Sequence, residues 1–297
     1  MIKYGVSPIA WTNDDLPSLG GETTLDACLS DIQEIGFDGV ELGGKFPRDA
    51  AVLAPILKSY DLKLVGGWYS SNLLLRDAEA EIEALQAHLE LLKALGCDVF
   101  IIAETSNATH TSRATPLEDQ PIVVSEDWTM FCDRMSSVGD FIADQGLRLA
   151  YHHHLGTIVE TGGDLDRFLQ DTNDNVGLVL DTGHAAAGGI DAASAISKYP
   201  ERIVHVHCKD IRQATLENTR VRGASFLDGV IEGMFTAPGD GDLDFTPVFE
   251  ALKAIEYSGW IIVEAEQDPA KAPPKEYSTL GLKTLKKLSQ KTLLGEG

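Results

Sequence analysis

The sequence predicts an α/β chain folded as a (β/α)8 barrel, and three observations carry the prediction. Strand-length hydrophobic runs alternate with amphipathic helical segments eight times across 297 residues, the repeat pattern such a barrel uses. No linker interrupts the alternation, so residues 1–297 read as a single domain. The third observation is where the polar residues fall. Several runs stay apolar until their last residues and then end on imidazoles, amines and carboxylates: Tyr151-His152-His153-His154, Leu180-Asp181, His205-Val206-His207-Cys208-Lys209-Asp210 and Val263-Glu264-Ala265-Glu266. A closed parallel ring gathers every C-terminal strand end at one mouth, whereas an open, doubly wound sheet would leave these ends apart.

Taken in order, residues 3–7 read as a strand, and the loop over 8–22 carries Trp11, Asn13, Asp14 and Asp15. Thr23 or Thr24 can cap a helix whose Leu25, Cys28, Leu29, Ile32 and Ile35 follow three-to-four spacing, and Gly36 ends it. Residues 37–42 form the second strand, 43–47 a tight loop, 50–60 a helix and 62–66 the third strand. A long amphipathic helix over 77–95 stops at Gly96, and strand four over 98–103 ends at Glu104. A polar loop over 105–121, with His110 and Arg113, leads to a helix over 125–145 that Gly146 terminates. Strand five is 147–153, with a helix at 165–170; strand six is 176–181, with a helix at 192–199; strand seven is 202–209. A long loop over 211–242 precedes a helix at 246–255, strand eight at 260–264 and a last helix at 275–288.

Charge and composition narrow the function. A formal net charge of −22 repels phosphate backbones and anionic lipid, so neither nucleic acid nor a membrane surface is an expected partner. No apolar run approaches the roughly 20 residues that span a bilayer, and a soluble, cytoplasmic protein is expected. The four cysteines, Cys28, Cys97, Cys132 and Cys208, show no Cys-x-x-Cys pairing and read as buried free thiols. Neither a Gly-x-Gly-x-x-Gly nor a Walker pattern is present, which argues against a nucleotide cofactor.

Strand alternation puts His205, His207 and Lys209 on one face and Val204, Val206 and Cys208 on the other. At the mouth of a barrel, Asp181, His207 and Glu264 would meet either His152 or His154 from strand five. Two carboxylates and two imidazoles form a mixed nitrogen and oxygen donor set, suited to Mn²⁺, Co²⁺, Fe²⁺ or Zn²⁺ more than to Ca²⁺ or Mg²⁺. His205 lies deeper and reads as a hydrogen-bonded core histidine; His153 points outward and reads as structural.

The runs Trp11-Thr12-Asn13-Asp14-Asp15-Leu16-Pro17, Tyr151-His152-His153-His154-Leu155-Gly156-Thr157, Leu180-Asp181-Thr182-Gly183-His184, Gly233-Met234-Phe235-Thr236-Ala237-Pro238-Gly239-Asp240-Gly241 and Val263-Glu264-Ala265-Glu266-Gln267-Asp268-Pro269 resemble those of the inosose dehydratases, within the xylose-isomerase-like TIM-barrel superfamily. The resemblance runs along essentially the whole chain. It implies loss of water from 2-keto-myo-inositol in inositol degradation, with Mn²⁺ or Co²⁺ and a requirement for glutathione, for which the residues supply no binding motif. By position, Asp181, His207 and Glu264 match the superfamily's metal ligands, and His152 stands where many relatives carry a glutamate. The substrate it implies is a small polyol ketone.

A proton next to a ketone becomes removable when a cation holds the developing negative charge, and the β-hydroxyl then leaves with help from an acid. For proton transfer the candidates are His154, Lys209, Glu266 and Lys45, all expected to point into the mouth. Trp68 and Trp11 are candidates for the flat apolar wall of a polyol site, with His184 and Arg212 as further substrate contacts. The loop over 211–242 is long for a connection and suggests a lid or a subunit contact. A sugar or keto-polyol isomerase or epimerase using the same metal site is the alternative activity. A homo-oligomer is compatible with the sequence, although no surface reads as an interface.

Overall fold

The structure is a computed structural model and describes residues 2–292, so the predicted domain bounds, 1–297, extend past the described residues at both ends. The barrel strands are β1 (Ile2–Val6), β2 (Gly39–Leu42), β3 (Lys63–Ser71), β4 (Val99–Glu104), β5 (Arg148–His152), β6 (Val176–Asp181), β7 (Ile203–Cys208) and, after a short pair β8 (Asp210–Ile211) and β9 (Phe235–Thr236), β10 (Gly259–Val263). The outer helices α1 (Leu25–Ile35), α2 (Ala50–Ser59), α3 (Ala78–Ala94), α4 (Ser125–Asp144) and α5 (Gly162–Asp171) follow the first five strands. They are succeeded by α6 (Thr182–Ala187), α7 (Ala192–Lys198), α8 (Gln213–Val221), α9 (Phe226–Glu232), α10 (Thr246–Ala254) and α11 (Pro274–Thr292). The strands close in the order β1-β10-β7-β6-β5-β4-β3-β2, every neighbouring pair parallel. This is the predicted barrel.

Local chemistry starts and stops these elements where the sequence says it should. The Thr24 hydroxyl accepts the amide of Ala27 to start α1, and Gly36, at φ 89°, ends it in the left-handed region that glycine enters without strain. Asp77 caps α3 in the same way. The Thr161 and Asp164 side chains form a reciprocal capping box that begins α5 earlier than periodicity alone suggests.

Two layers of side chains follow from strand alternation. Outside the ring, Tyr4, Val6, Val40, Leu64, Phe100, Ile102, Leu149, Tyr151, Leu178, Leu180, Val206 and Ile261 pack under the helices in the main core. Inside, the floor is apolar, built from Val65, Trp260 and Ile262 beside Val99, Ile101, Ala150, Val179 and Val204. Val204 corrects the simple alternation expected for strand seven. The β6–β7 register shifts between Leu178 and Val179, and this bulge turns Val204 inward while Val206 and Cys208 stay in the outer core.

Two further differences bear on the mouth. Strand three does not stop at Gly66; an irregularity opposite Val40 and Leu42 absorbs the glycine pair and β3 runs on to Ser71, so Trp68 lies in the strand. The segment over 211–242 is not an open loop. Asp210 pairs with Thr236 and Ile211 with Phe235 in an antiparallel hairpin, and α8 and α9 fill the span between. Leu216, Phe226, Leu227, Val230, Met234 and Phe235 close a small second core against Leu117, Leu155 and Ala187. The Asp210 carboxylate holds the return of the chain by accepting the amides of Gly239, Gly241 and Leu243.

Candidate active site

Register brings the predicted ligands together. Asp181 sits opposite His207 across β6 and β7, His207 is beside Ile262 across β7 and β10, and the Glu264 amide binds the Cys208 carbonyl at 3.1 Å. His152 ends β5, next to β6. Ligand atoms of His152, Asp181, His207 and Glu264 all lie within 4.8 Å of one another, and all four residues are buried. Asp181 Oδ2 is 3.9 Å from His152 Nε2 and 3.7 Å from His207 Nδ1. Both Asp181 Oδ2 and His207 Nδ1 are buried without a hydrogen bond; His207 Nδ1 is 2.7 Å from Glu264 Oε2 but lacks hydrogen-bond alignment. Buried polar atoms without partners are costly, and a divalent cation held by two imidazoles and two carboxylates would satisfy them.

Neighbouring groups aim the ligands. His152 Nδ1 lies 2.7 Å from the His153 carbonyl, which assigns the proton to Nδ1 and leaves the Nε2 lone pair facing Asp181. Glu41 Oε1 meets His207 Nε2 at 3.0 Å and His205 Nε2 at 2.9 Å, so His207 presents Nδ1. Burial, and then the charge of His207, drives the His152 pKa well below its usual range and keeps it a neutral donor. Burial pushes Glu264 up, but Lys209 and His207 outweigh it and hold its carboxyl well below the usual range. Burial raises Asp181 to about 6 against the pull of Lys209. We expect Glu41→Gln to weaken metal affinity by about 10- to 100-fold, as loss of a ligand's orienting partner does. Competition against a chromophoric chelator measures it, and an unchanged affinity would show that Glu41 does not orient His207.

Lys209 is the hub beneath this set. Its Nζ lies 2.6 Å from Glu264 Oε1, 3.0 Å from Glu266 Oε2, 3.0 Å from His184 Nε2 and 3.9 Å from Asp181 Oδ2. Gly183 makes room for it, since a Cβ there would meet the Lys209 stem at 2.7 to 2.9 Å. Burial lowers the lysine's pKa, but Glu264, Glu266 and Asp181 outweigh it and raise the net value. The three carboxylates round its Nζ favour the charged form of Lys209, which offsets their surplus negative charge.

The mouth holds a cavity of about 200 Å³ lined by His152, His154, His207, Glu264, Glu266 and Trp68, together with Glu41, Asp14, Asp15 and Arg48. Trp68 stands edge-on to His152 and His154, at 5.2 and 5.7 Å between ring centroids. His154 Nδ1 lies 2.7 Å from the Leu155 carbonyl, which again leaves Nε2 as the free lone pair.

Four predicted site residues lie elsewhere. Trp11 is buried in the main core with its Nε1 donating to Asp31, because the 3-10 turn at Pro8–Ala10 folds it back from the mouth. Lys45 donates to the carbonyls of Gly20, Gly21 and Thr23 and ties the first loop to the second. Arg212 is held by Asp240, Thr236 and the Gly233 carbonyl in the hairpin. His184 lies behind His154, ring centroids 3.8 Å apart, and packs against Phe226 and Phe235; it supports the wall without lining the cavity.

Residues 29–288 match the family described as xylose isomerase-like TIM barrel. The chain is 43% identical over 288 residues to the rhizopine catabolism protein MocC of Rhizobium meliloti, covering 97% of this chain and 89% of that one. It is 42% identical to an inosose dehydratase of Geobacillus thermodenitrificans, covering 93% and 94%, and 40% identical to one of Clostridium perfringens, covering 99% and 98%. Among solved structures it resembles the IOLI protein with a binding zinc atom, at TM-score 0.71 and 19% identity, covering 98% and 99%. It also resembles the probable 3-DHS dehydratase AsbF from Bacillus anthracis, at TM-score 0.68 and 16% identity, covering 96% and 98%. With its ring of strands, its buried donor set and these full-length matches, the chain belongs to the xylose isomerase-like TIM-barrel family.

Proposed function

We propose that the chain is a hydro-lyase that removes water from 2-keto-myo-inositol to give 3D-3,5/4-trihydroxycyclohexane-1,2-dione, and that it works in the cytoplasm with Mn²⁺ or Co²⁺. The observation that carries the reading is the buried His152, Asp181, His207 and Glu264 set opening on a cavity walled by Trp68. The roughly 40% identity to proteins named inosose dehydratase supports the choice of substrate. A divalent cation bound by the four residues supplies positive charge that polarises a ketone oxygen.

The chain's own residues supply the rest. His154, with its Nε2 lone pair free, is placed to take the proton next to the ketone. Trp68 offers a flat apolar face to one side of a cyclohexane ring. Glu266, fixed by Lys209 at 3.0 Å and Asn13 at 3.5 Å, and Arg48 on the rim present hydrogen-bond partners for ring hydroxyls. Lys209, buried between Glu264 and Glu266, keeps those carboxylates from repelling the charge that develops on the ketone.

Mass spectrometry of the product tests the reading, with glutathione entering only as an additive to be run with and without. A product short by one water supports the hydro-lyase; an isomer of unchanged mass would replace it with an isomerase or epimerase on the same site.

A further inference from the structure

Five carboxyl groups line the cavity: Asp14, Asp15, Glu41, Glu264 and Glu266. Four of them are engaged. Asp14 accepts the Gly44 amide, Glu41 the two imidazoles, Glu264 lies against Lys209, and Glu266 accepts from Lys209 and Asn13. Asp15 accepts no hydrogen bond from any described residue. The one ionic neighbour it has among them is His110, whose Nε2 is 3.8 Å from Asp15 Oδ1, beyond hydrogen-bond reach.

His110 is itself 5% exposed, and its Nδ1 has no partner. Its ring centroid is 4.8 Å from that of His154 and 6.4 Å from Trp68. The buried His110 Nδ1 is without a partner and the Asp15 carboxyl beside it opens on the cavity, so both are free to hydrogen-bond a molecule bound there. Asp15 stands on the loop after β1 and His154 on the loop after β5; both line the cavity and His110 lies between them, 3.8 Å from the Asp15 carboxyl and 4.8 Å from the His154 ring.

We propose that Asp15 is the acid that protonates the departing hydroxyl, with His110 as its positioning residue; this rests on the hydro-lyase reading above. His154 Nε2 takes the proton from the carbon beside the ketone, and the C–H electron pair moves toward the ketone oxygen as an enolate. The enolate either takes a hydrogen back or re-forms the carbonyl and drives the pair into the new double bond, the resulting enol tautomerising to the 1,2-dione. The C–O bond at the next carbon breaks, its electron pair leaves with the oxygen, and that oxygen takes the Asp15 proton and departs as water. His154 then holds one proton more and Asp15 one fewer, and transfer through solvent restores both. Asp15 is suited to carry that proton: burial first, then the charges of Glu266 and Asp14, push its pKa up to about 7.

The test uses metal-loaded wild type and Asp15→Asn with 2-keto-myo-inositol in D2O, following water loss by mass and exchange of the α-hydrogen by NMR. Asp15→Asn is expected to lose water about 100- to 10,000-fold more slowly while α-exchange continues near the wild-type rate and metal affinity is unchanged. An analogue with fluoride in place of the leaving hydroxyl needs no acid and should be turned over by the variant near the wild-type rate. Wild-type kcat should fall as pH rises through about 7, a limb missing from the variant. The groups facing Asp15 across that range are Asp14 on its own loop, His110 after β4, Lys209 after β7 and Glu264 and Glu266 after β10. Wild-type water loss in Asp15→Asn, or loss of exchange and elimination together, overturns the assignment. A wild type that neither exchanges nor dehydrates overturns the hydro-lyase reading and takes the assignment with it.

Discussion

Replacing Asp181 by Asn is expected to abolish tight divalent-metal binding and to lower turnover on the order of a thousand-fold or more, beyond the 10- to 100-fold that changes in a ligand's supporting partners cause. The substitution is chosen because Asp181 has two jobs on two oxygens. Oδ1 accepts the His184 amide at 2.8 Å and caps α6, and an asparagine oxygen keeps that bond. Oδ2 is the buried, unpartnered atom facing His152 and His207, and an amide there donates instead of binding a cation. Isothermal titration with Mn²⁺ and Co²⁺, with circular dichroism to show an unchanged fold, reads the effect. Wild-type affinity in Asp181→Asn would place the cation elsewhere.

Lys209→Met is expected to cost about 3–5 kcal/mol, the usual penalty for removing one partner from a buried ion pair, and so to lower Tm on the order of 10 °C. It leaves Asp181, Glu264 and Glu266 buried around an apolar side chain. The loss should be larger in metal-free protein, because a bound cation replaces part of the missing charge. The pH dependence of the Glu264 contribution should also invert, whereas Asp181 and Glu266 are already raised in wild type. In wild type the Glu264 pKa is depressed, so its contribution is present above the unfolded value of about 4.3 and lost as pH falls through the folded value. Lys209 is raised, so its own contribution is complete below about 10.4 and lost only as pH rises through the folded value. Without Lys209 Glu264 loses its main depressing charge and Asp181 and Glu266 are pushed further up, so the variant should gain more stability than wild type on acidification above the unfolded carboxyl range. Thermal melts across pH, with and without Mn²⁺, measure this; equal Tm for wild type and variant would show that the lysine does not offset the carboxylates.

The barrel and the metal set were legible because both rest on local pattern. Period-two strands with polar ends give Asp181, His207 and Glu264 and leave the fourth position open between His152 and His154; the folded ring brings His152 to the other three. Trp11, Lys45 and Arg212 misled because their direction depends on loops: a 3-10 turn, three loop carbonyls and a hairpin acid decide where they point. The cap over 211–242 was partly readable. Ser225 and Asp228 are a capping box three residues apart that announces α9, whereas α8, with Leu216 its single buried large apolar side chain, carries too little periodicity. Glu41 had a signal too, as an acid inside the otherwise apolar Gly39-Val40-Glu41-Leu42; its meeting with His205 and His207, 164 and 166 residues away, did not. Asp15 and His110 belong to loops after β1 and β4, and only the folded chain brings them together.

The most direct measurement strips the protein with chelator, adds back Mn²⁺, Co²⁺, Mg²⁺ or Zn²⁺ in known equivalents, and follows 2-keto-myo-inositol by mass spectrometry beside metal content. The account predicts that metal-free protein is inactive, and that one equivalent of Mn²⁺ or Co²⁺ restores formation of a product short by one water. Full water loss by metal-free protein, or metal-restored protein that leaves the mass of the substrate unchanged, would contradict it.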